Sequence, residues 1–101
     1  MIVSCASAEE ADAIIRAVVE ARLAACGQTW PITSRYRWRG EVAADDEHIV
    51  VLKTVAMHFD AVCELVRVHH SYELPAIAAL PVSHAGPGYL EWIVESTDPP
   101  R

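Results

Sequence analysis

The residues best suited to chemistry lie in one short stretch, His70 to Pro75, where imidazole, hydroxyl, phenol and carboxylate groups follow one another. His70 and Glu73 offer a nitrogen and an oxygen donor three residues apart, and borderline divalent metals accept such donors. Two ligands alone do not define a structural metal site, which usually has four at tight spacing. In the alternative interpretation, His69 and His70 end a helix and interact with its unpaired carbonyls and its dipole.

The three cysteines are the other potential metal ligands. Cys5, Cys26 and Cys63 are odd in number and widely spaced, which predicts free thiols in a reducing compartment rather than a disulfide framework. A buried thiol that packs as a small apolar residue is the commoner case, and we expect it for Cys5 and Cys63. Cys26 is expected at the end of a helix, and two roles are open for it: a soft thiolate ligand for copper, or a buried and inert thiol, which is the commoner case.

Motifs of catalysis and of nucleic-acid binding are missing from the sequence. It has no phosphate-binding loop, no Gly-x-Gly-x-x-Gly and no recognisable nucleophile, so we predict a non-enzymatic protein without an organic cofactor. The formal charge of −6 disfavours nucleic acid, because phosphate neutralisation needs a positive surface. Neither a long apolar run nor a basic leader segment is present, which predicts a cytoplasmic protein without membrane contact.

The N-terminal pattern predicts a strand followed by a helix. The first six residues are apolar with β-branched members, as in a buried strand. Ser7 and Glu10 then have the spacing of a capping box, which marks a helix start. Apolar residues recur at helical spacing as far as Cys26, and Gly27 stands where a left-handed terminating residue is wanted. We therefore expect a helix over residues 8–26.

The middle of the chain predicts a long hairpin. From Thr29 onwards the residues alternate with the period of a strand. Two sets of side chains point to opposite faces, namely Arg35, Arg37 and Arg39 against Tyr36 and Trp38. Gly40 begins the turn, the acidic stretch 44–47 is expected to be solvated in an irregular tip, and the apolar run 49–52 predicts the returning strand.

The second half predicts a helix, a strand and a last helix. Helical spacing resumes over Ala56 to His69, and Pro75 prevents its continuation. Residues 76–80 are apolar enough for a strand buried on both faces. A Gly-Pro-Gly sequence precedes a short helix whose packed side we expect to carry Tyr89, Leu90 and Ile93.

These elements occur in the order β-α-β-β-α-β, followed by an extra C-terminal helix. This order is typical of the ferredoxin-like α/β (α+β) sandwich. Residues 1–97 are expected to form one domain, because 101 residues with 52% hydrophobic content suffice for one core. Residues 98–101 are expected to be a disordered tail.

Four short motifs in order give the chain a family resemblance. They are Leu23–Cys26, Tyr36–Glu41, His70–Pro75 and Tyr89–Trp92. With these motifs the chain resembles the CutA family of divalent-cation tolerance proteins, from about residue 2 to residue 95. The resemblance implies the same fold and a homotrimer in which the long hairpin reaches a neighbouring subunit.

The resemblance also implies a site and a function. His70, Tyr72 and Glu73 are expected to line a cleft between subunits, with Tyr36 and Trp38 from the hairpin close by. The implied function is binding of, or response to, divalent metal ions, with copper the leading candidate. Its candidate ligands are His70, Glu73 and Cys26. The alternative is a small-molecule-sensing or regulatory trimeric scaffold in which metal binding is incidental.

Overall fold

Four strands and three helices make up residues 1–97, the part of the chain that the computed structural model describes. Their order is β1 (Ile2–Cys5), α1 (Ala8–Glu20), β2 (Cys26–Trp38), β3 (Glu41–Lys53), α2 (Phe59–His69), β4 (Ile77–Ala78) and α3 (Tyr89–Thr97). A 3₁₀ turn over Ala56–His58 leads into α2. The predicted β-α-β-β-α-β order with an extra C-terminal helix is confirmed. The predicted disordered tail, residues 98–101, lies outside the described residues.

The strands form one antiparallel sheet in the order β2-β3-β1-β4. β3 pairs with β1 over residues 48–51 alone, whereas it pairs with β2 along its whole length. The outer half of the β2–β3 hairpin therefore projects past the end of β1. β2 and β4 are the two edge strands of the sheet.

The core lies between the sheet and the first two helices. Its fully buried side chains come from β1, α1, β3 and α2, and they include Val3, Cys5, Ile14, Val18, Val50, Leu52, Val62 and Val66. Each large apolar side chain buried in this way contributes about 1.5–3 kcal/mol. None of the helices within residues 1–97 combines the length and apolarity needed to cross a bilayer.

Helix α1 begins where the sequence predicts and ends earlier. Ser7 has extended backbone dihedrals, and its Oγ accepts the Glu10 N–H at 3.1 Å, as expected of the cap. The helix ends at Glu20, and Arg22 takes the left-handed conformation with φ of 61°. The predicted extension to Cys26 is therefore wrong, because the chain has already turned back to begin β2 at that residue.

Gly27 lies within β2 and does not terminate a helix. A Cβ atom at this position would lie 2.9 Å from both Ile15 Cγ2 and Leu52 Cδ2. Such contacts are too short for a real methyl group. Glycine is needed here because β2 passes directly beneath α1, rather than for its backbone freedom.

The hairpin is more regular than predicted. A two-residue turn of Arg39 and Gly40, with φ of 52° and 82°, joins Trp38 to Glu41, and positive φ at both positions is characteristic of a type I′ hairpin turn. The acidic stretch 44–47 belongs to β3 and not to an irregular tip. The prediction that it is solvated is wrong at Glu47, which is 5% exposed.

The C-terminal elements differ from the predicted ones in their burial. β4 has two residues, and Ala78 is exposed, so the prediction of a strand buried on both faces over 76–80 is wrong for the single chain. β4 occupies an edge of the sheet, and no further strand among residues 1–97 pairs with its outer side. In α3, Ile93 is buried as expected, while Tyr89 and Leu90 are exposed.

Candidate functional site

His70 lies directly after α2, where the backbone becomes extended. Its side chain is fully buried. The Tyr72 backbone N–H donates to Nδ1 at 3.1 Å, and Nε2 lies 2.6 Å from the Ser4 carbonyl oxygen. Because Nδ1 is an acceptor, Nε2 carries the proton and donates to Ser4. The imidazole thus ties the segment after α2 to β1.

Glu10 lies beside this histidine and holds two chain segments together. Its Oε2 accepts the Ala6 N–H at 2.9 Å, and its Oε1 accepts the Ser71 N–H at 2.8 Å. Burial by itself would raise the pKa of Glu10, but the hydrogen bonds from Ala6 and Ser71, together with nearby His70, lower it overall. The carboxylate therefore stays ionised at neutral pH. The capping glutamate predicted from Ser7 and Glu10 has this additional role.

Cys5, at the end of β1, completes a cluster of three metal-ligand types. Its Sγ, a carboxylate oxygen of Glu10 and a ring nitrogen of His70 all lie within 4.8 Å of one another. We refer to these residues as the Cys5–Glu10–His70 cluster. Burial, with the negative charges of Glu10 and Glu47, raises the pKa of Cys5 to about 12. The sulfur is therefore a protonated, neutral thiol at neutral pH.

The other predicted ligands lie elsewhere in the chain. Glu73 is exposed and forms an ion pair with Arg39 at 2.7 Å. Cys26 pairs with Lys53 of β3, whereas Cys5 pairs with His48. His48 and Lys53 are five residues apart on β3, which corresponds to about 17 Å along the strand. Within residues 1–97 of one chain, Cys26 and Glu73 do not form a three-ligand group with His70. Their roles as ligands stay predictions.

A groove of about 740 Å³ lies between the outer half of the hairpin and the segment that follows α2. Residues from both sides line it: Ser4, Thr33, Ser34, Arg35, Tyr36, Trp38, Glu47, Ser71, Tyr72, Glu73, Leu74 and Ala76. Four of the five residues predicted for the cleft are among them. The fifth, His70, lies next to the Tyr72 ring, with a centroid distance of 4.8 Å. That this groove lies between subunits stays a prediction.

Glu47 is the buried acidic group of the groove. The Tyr72 hydroxyl donates to its Oε2 at 2.6 Å. Burial and the hydrogen bond to Glu47 raise the pKa of Tyr72 well above its ordinary value, so the phenol keeps its proton. At the rim, Arg39 pairs with Glu73, and its guanidinium carbon lies 5.4 Å from the centre of the Trp38 ring.

Sequence reasoning missed Cys5, Glu10 and Glu47 as site residues. Cys5 and Glu10 are sixty or more positions from His70, and only the fold brings the three together. One usable signal was the capping box, because it places Glu10 at the end of the strand that carries Cys5. Glu47 gave no signal of its own, because adjacent acidic residues usually indicate a solvated surface.

Comparisons with known proteins agree with this architecture. The family described as CutA1 divalent ion tolerance protein matches residues 1–96. Protein CutA of Mus musculus is 42% identical over 97 residues, which cover 95% of this chain and 55% of the mouse protein. The chain thus spans about half the length of that relative. The divalent-cation tolerance protein CutA of Thermus thermophilus is 41% identical over 98 residues, covering 96% of this chain and 95% of the relative.

A solved structure provides a direct test of the fold. The periplasmic divalent cation tolerance protein CutA from Archaeoglobus fulgidus matches with a TM-score of 0.93 and 34% identity. The match covers 96% of this chain and 95% of the other. The predicted fold is therefore confirmed at the level of a solved structure.

Proposed function

Because the chain belongs to the CutA1 divalent ion tolerance family, we propose that it binds a divalent cation at the Cys5–Glu10–His70 cluster. The observation that supports this proposal is the approach of a thiol, a carboxylate and an imidazole to within 4.8 Å at the end of β1. The relative from Thermus thermophilus is named for divalent-cation tolerance. The cluster supplies a chemical basis for that function in this chain.

The donor set favours copper. Hard cations such as Ca²⁺ and Mg²⁺ prefer ligand shells made of oxygen. Sulfur and imidazole nitrogen suit softer ions, and among first-row divalent ions Cu²⁺ binds such sites most strongly. An ion in the cluster would replace the thiol proton of Cys5 and the Tyr72 N–H at His70 Nδ1. Both are single, local changes, so the residues present fit a bound ion.

The role we propose is non-enzymatic. A cysteine beside a histidine would suggest a nucleophile, but reactive cysteines have a lowered pKa and some exposure to solvent. Cys5 has the opposite properties, since it is buried and its pKa is raised to about 12. Cys5 and His70 are therefore better suited to binding a cation than to nucleophilic catalysis.

We further propose that the chain works as a homotrimer in the cytoplasm. Support for assembly comes from the open edges at β2 and β4 and from exposed aromatic side chains such as Trp30 and Trp38. The number three rests on the family resemblance. Support for the cytoplasm comes from the three cysteines, all of which are free. Cell fractionation tests this location, because the Archaeoglobus fulgidus relative is described as periplasmic.

The metal proposal is tested by measuring Cu²⁺ affinity on tag-free protein without oxygen. We expect Cys5→Ser and His70→Gln each to weaken binding by more than about 100-fold, because loss of a group that merely supports a ligand already costs 10–100-fold. Cys63→Ser and His84→Gln are matched controls outside the cluster and should leave the affinity within about twofold. Equal losses in variants and controls would contradict the assignment.

The same titration tests the ligands predicted from sequence. Glu73→Gln and Cys26→Ser should bind Cu²⁺ like the wild type if the cluster of one chain is the site. A large loss with either variant would instead indicate a site shared between subunits. The two outcomes are distinguishable because neither residue contacts the cluster within one chain.

A further inference from the structure

The segment that follows His70 is fastened to the rest of the chain at both of its ends. We refer to residues 71–76 as the strap. At its start, the Ser71 N–H donates to Glu10 Oε1 at 2.8 Å. At its end, the Ala76 carbonyl oxygen accepts the Ser4 N–H at 3.3 Å. A movement of the strap must therefore be taken up between these two attachments.

Tyr72, between the two attachments, makes three contacts with the rest of the chain. Its backbone N–H donates to His70 Nδ1 at 3.1 Å. Its ring centre lies 4.8 Å from that of the His70 ring, with the two planes tilted by 59°. Its hydroxyl donates to Glu47 Oε2 at 2.6 Å. Because His70 belongs to the Cys5–Glu10–His70 cluster, the position of Tyr72 is linked directly to the state of the cluster.

The two cluster residues that hold the strap differ in how many partners their atoms can accept. Each oxygen of an ionised carboxylate has two lone pairs. Glu10 can therefore ligate a cation and still accept the N–H groups of Ala6 and Ser71. The acceptor nitrogen of a neutral imidazole has one lone pair, and in His70 the Tyr72 N–H occupies it. His70 Nδ1 can thus accept this N–H or ligate a cation, but it cannot do both.

Nδ1, rather than Nε2, is the His70 nitrogen that is placed to ligate. It lies 3.9 Å from Glu10 Oε2, a potential ligand of the same cluster. Nε2 lies 2.6 Å from the Ser4 carbonyl oxygen, which holds the proton on that nitrogen. Metal-binding histidines usually donate their second ring N–H to such an acceptor, which fixes the orientation of the ring. The competition for a lone pair therefore falls on the Tyr72 N–H.

We propose that cation binding at the cluster releases the Tyr72 backbone N–H and shifts the middle of the strap. This inference rests on the proposed metal function and goes beyond it, because it identifies the element whose conformation depends on the bound ion. Both ends of the strap stay attached, so the shift centres on Tyr72 and reaches Glu47 through the phenol hydroxyl. By linkage, a change that loosens Tyr72 in the metal-free protein also tightens cation binding.

Amide hydrogen exchange, followed by NMR with and without saturating Zn²⁺, tests the release. Zn²⁺ is diamagnetic and accepts thiolate, imidazole and carboxylate ligands. We expect the Tyr72 amide of the full-length protein to exchange at least about fivefold faster with Zn²⁺ bound, because it loses its acceptor. The Ser71 amide is the internal control and should change less than about twofold, because Glu10 keeps both of its donors.

The possible results separate this inference from the metal proposal. Calorimetry on the same samples shows whether Zn²⁺ binds, and the ¹⁵N shifts of the His70 ring show which nitrogen ligates it. Bound Zn²⁺ with an unchanged Tyr72 amide, or with coordination through Nε2, would overturn the inference and leave the metal proposal standing. Equal acceleration at Ser71 and Tyr72 would also contradict it. Absence of Zn²⁺ binding would overturn both proposals.

Matched tyrosine variants test the coupling in the reverse direction. Tyr72→Phe keeps the backbone N–H and the charge of Glu47 but removes the hydroxyl that holds the strap. It should tighten Zn²⁺ binding about two- to tenfold, which corresponds to the loss of one such hydrogen bond in the metal-free protein. Tyr36→Phe loses the same kind of bond, to Asp45 on the hairpin. It should change the affinity less than about twofold. Equal effects of the two variants, or no gain in Tyr72→Phe, would contradict the coupling.

Discussion

Glu10 shows how one side chain can serve both the fold and the site. Its two oxygens accept the N–H groups of Ala6 and Ser71, so it fastens the start of α1 to the segment after α2. The same carboxylate lies 3.9 Å from His70 Nδ1. A carboxylate held by two backbone donors is preorganised, which lowers the conformational cost of binding an ion beside it.

Replacing this carboxylate should therefore destabilise the protein even without metal. We expect Glu10→Ala to lower the free energy of unfolding by about 2 kcal/mol at neutral pH, because the backbone N–H groups of Ala6 and Ser71 lose their acceptor. Glu9→Ala, one residue earlier and exposed, should cost about 0.5 kcal/mol or less. Urea unfolding at fixed chain concentration measures both values.

The pH dependence of that difference follows from the lowered pKa of Glu10. A carboxylate with a lowered pKa in the folded state contributes stability above its unfolded pKa and loses it as the pH falls through the folded value. The gap between wild type and Glu10→Ala should therefore shrink on acidification below pH 4.5, the ordinary pKa of a glutamate side chain. A difference that stays constant well below that pH would show that the ionised Glu10 carboxylate does not stabilise the fold through Ala6 and Ser71.

The raised pKa of the Cys5 thiol should make metal binding depend on pH. Its pKa is raised to about 12, so the thiol is protonated throughout the neutral range. Coordination requires the thiolate, so each bound ion releases one proton from this residue. Zn²⁺ affinity should therefore rise about tenfold per pH unit between about pH 7 and 9. The profile of Cys5→Ser should be much flatter, whereas a flat profile for the wild type would show that Cys5 is not a ligand.

At the scale of elements, local chemistry was readable from the sequence and tertiary contacts were not. The start of α1 was predicted because Ser7 and Glu10 form the cap by themselves. Its end was missed because a non-glycine residue, Arg22, takes the left-handed conformation. Gly27, which appeared to be the terminator, is required instead by the packing of β2 against Ile15 and Leu52. A terminating glycine and a packing glycine look alike in one sequence.

Some residues of the candidate site were likewise predictable from local sequence, and others were not. The residues of the groove near His70 were predicted because they cluster in two short motifs, one on the hairpin and one after α2. Glu47 was assigned to solvent because its neighbours in sequence are acidic, yet Tyr72 covers it from the other side of the groove. The Cys5–Glu10–His70 cluster depends on the pairing of β1 with β4, which brings the chain after α2 back to β1.

The hairpin turn offers a test of backbone strain separated from packing. Gly40 has φ of 82°, and an added Cβ there would meet nothing within 4 Å. Gly40→Ala should therefore destabilise the protein by about 1 kcal/mol through the backbone alone. Gly86 also has open space around it but no positive φ, so Gly86→Ala should change stability by less than about 0.5 kcal/mol. Similar thermal unfolding shifts in the two variants would refute this explanation.

At the scale of the whole molecule, the two sheet edges differ from each other. β2 is a 13-residue edge strand, whereas β4 has only two residues and is followed by an exposed apolar stretch that includes Leu80 and Val82. Two unlike edges favour a head-to-tail contact, in which one subunit's β2 edge meets the next subunit's β4 edge. A head-to-tail contact of suitable rotation closes into a ring, and a ring leaves no edge open.

We expect this ring to contain three chains. Light scattering after gel filtration should give about 33 kDa at micromolar concentration, three times the chain mass of 11.1 kDa. The double variant Leu80→Asp, Val82→Asp should be a monomer, because assembly would bury two unpaired carboxylates in the contact. Val68→Asp is the matched control, since Val68 is also apolar and 76% exposed but lies on helix α2 and not on or next to an edge strand in sequence. A wild-type monomer would contradict the predicted ring. Dissociation by Val68→Asp alone would place the contact on the helical face, and would contradict a contact between the sheet edges.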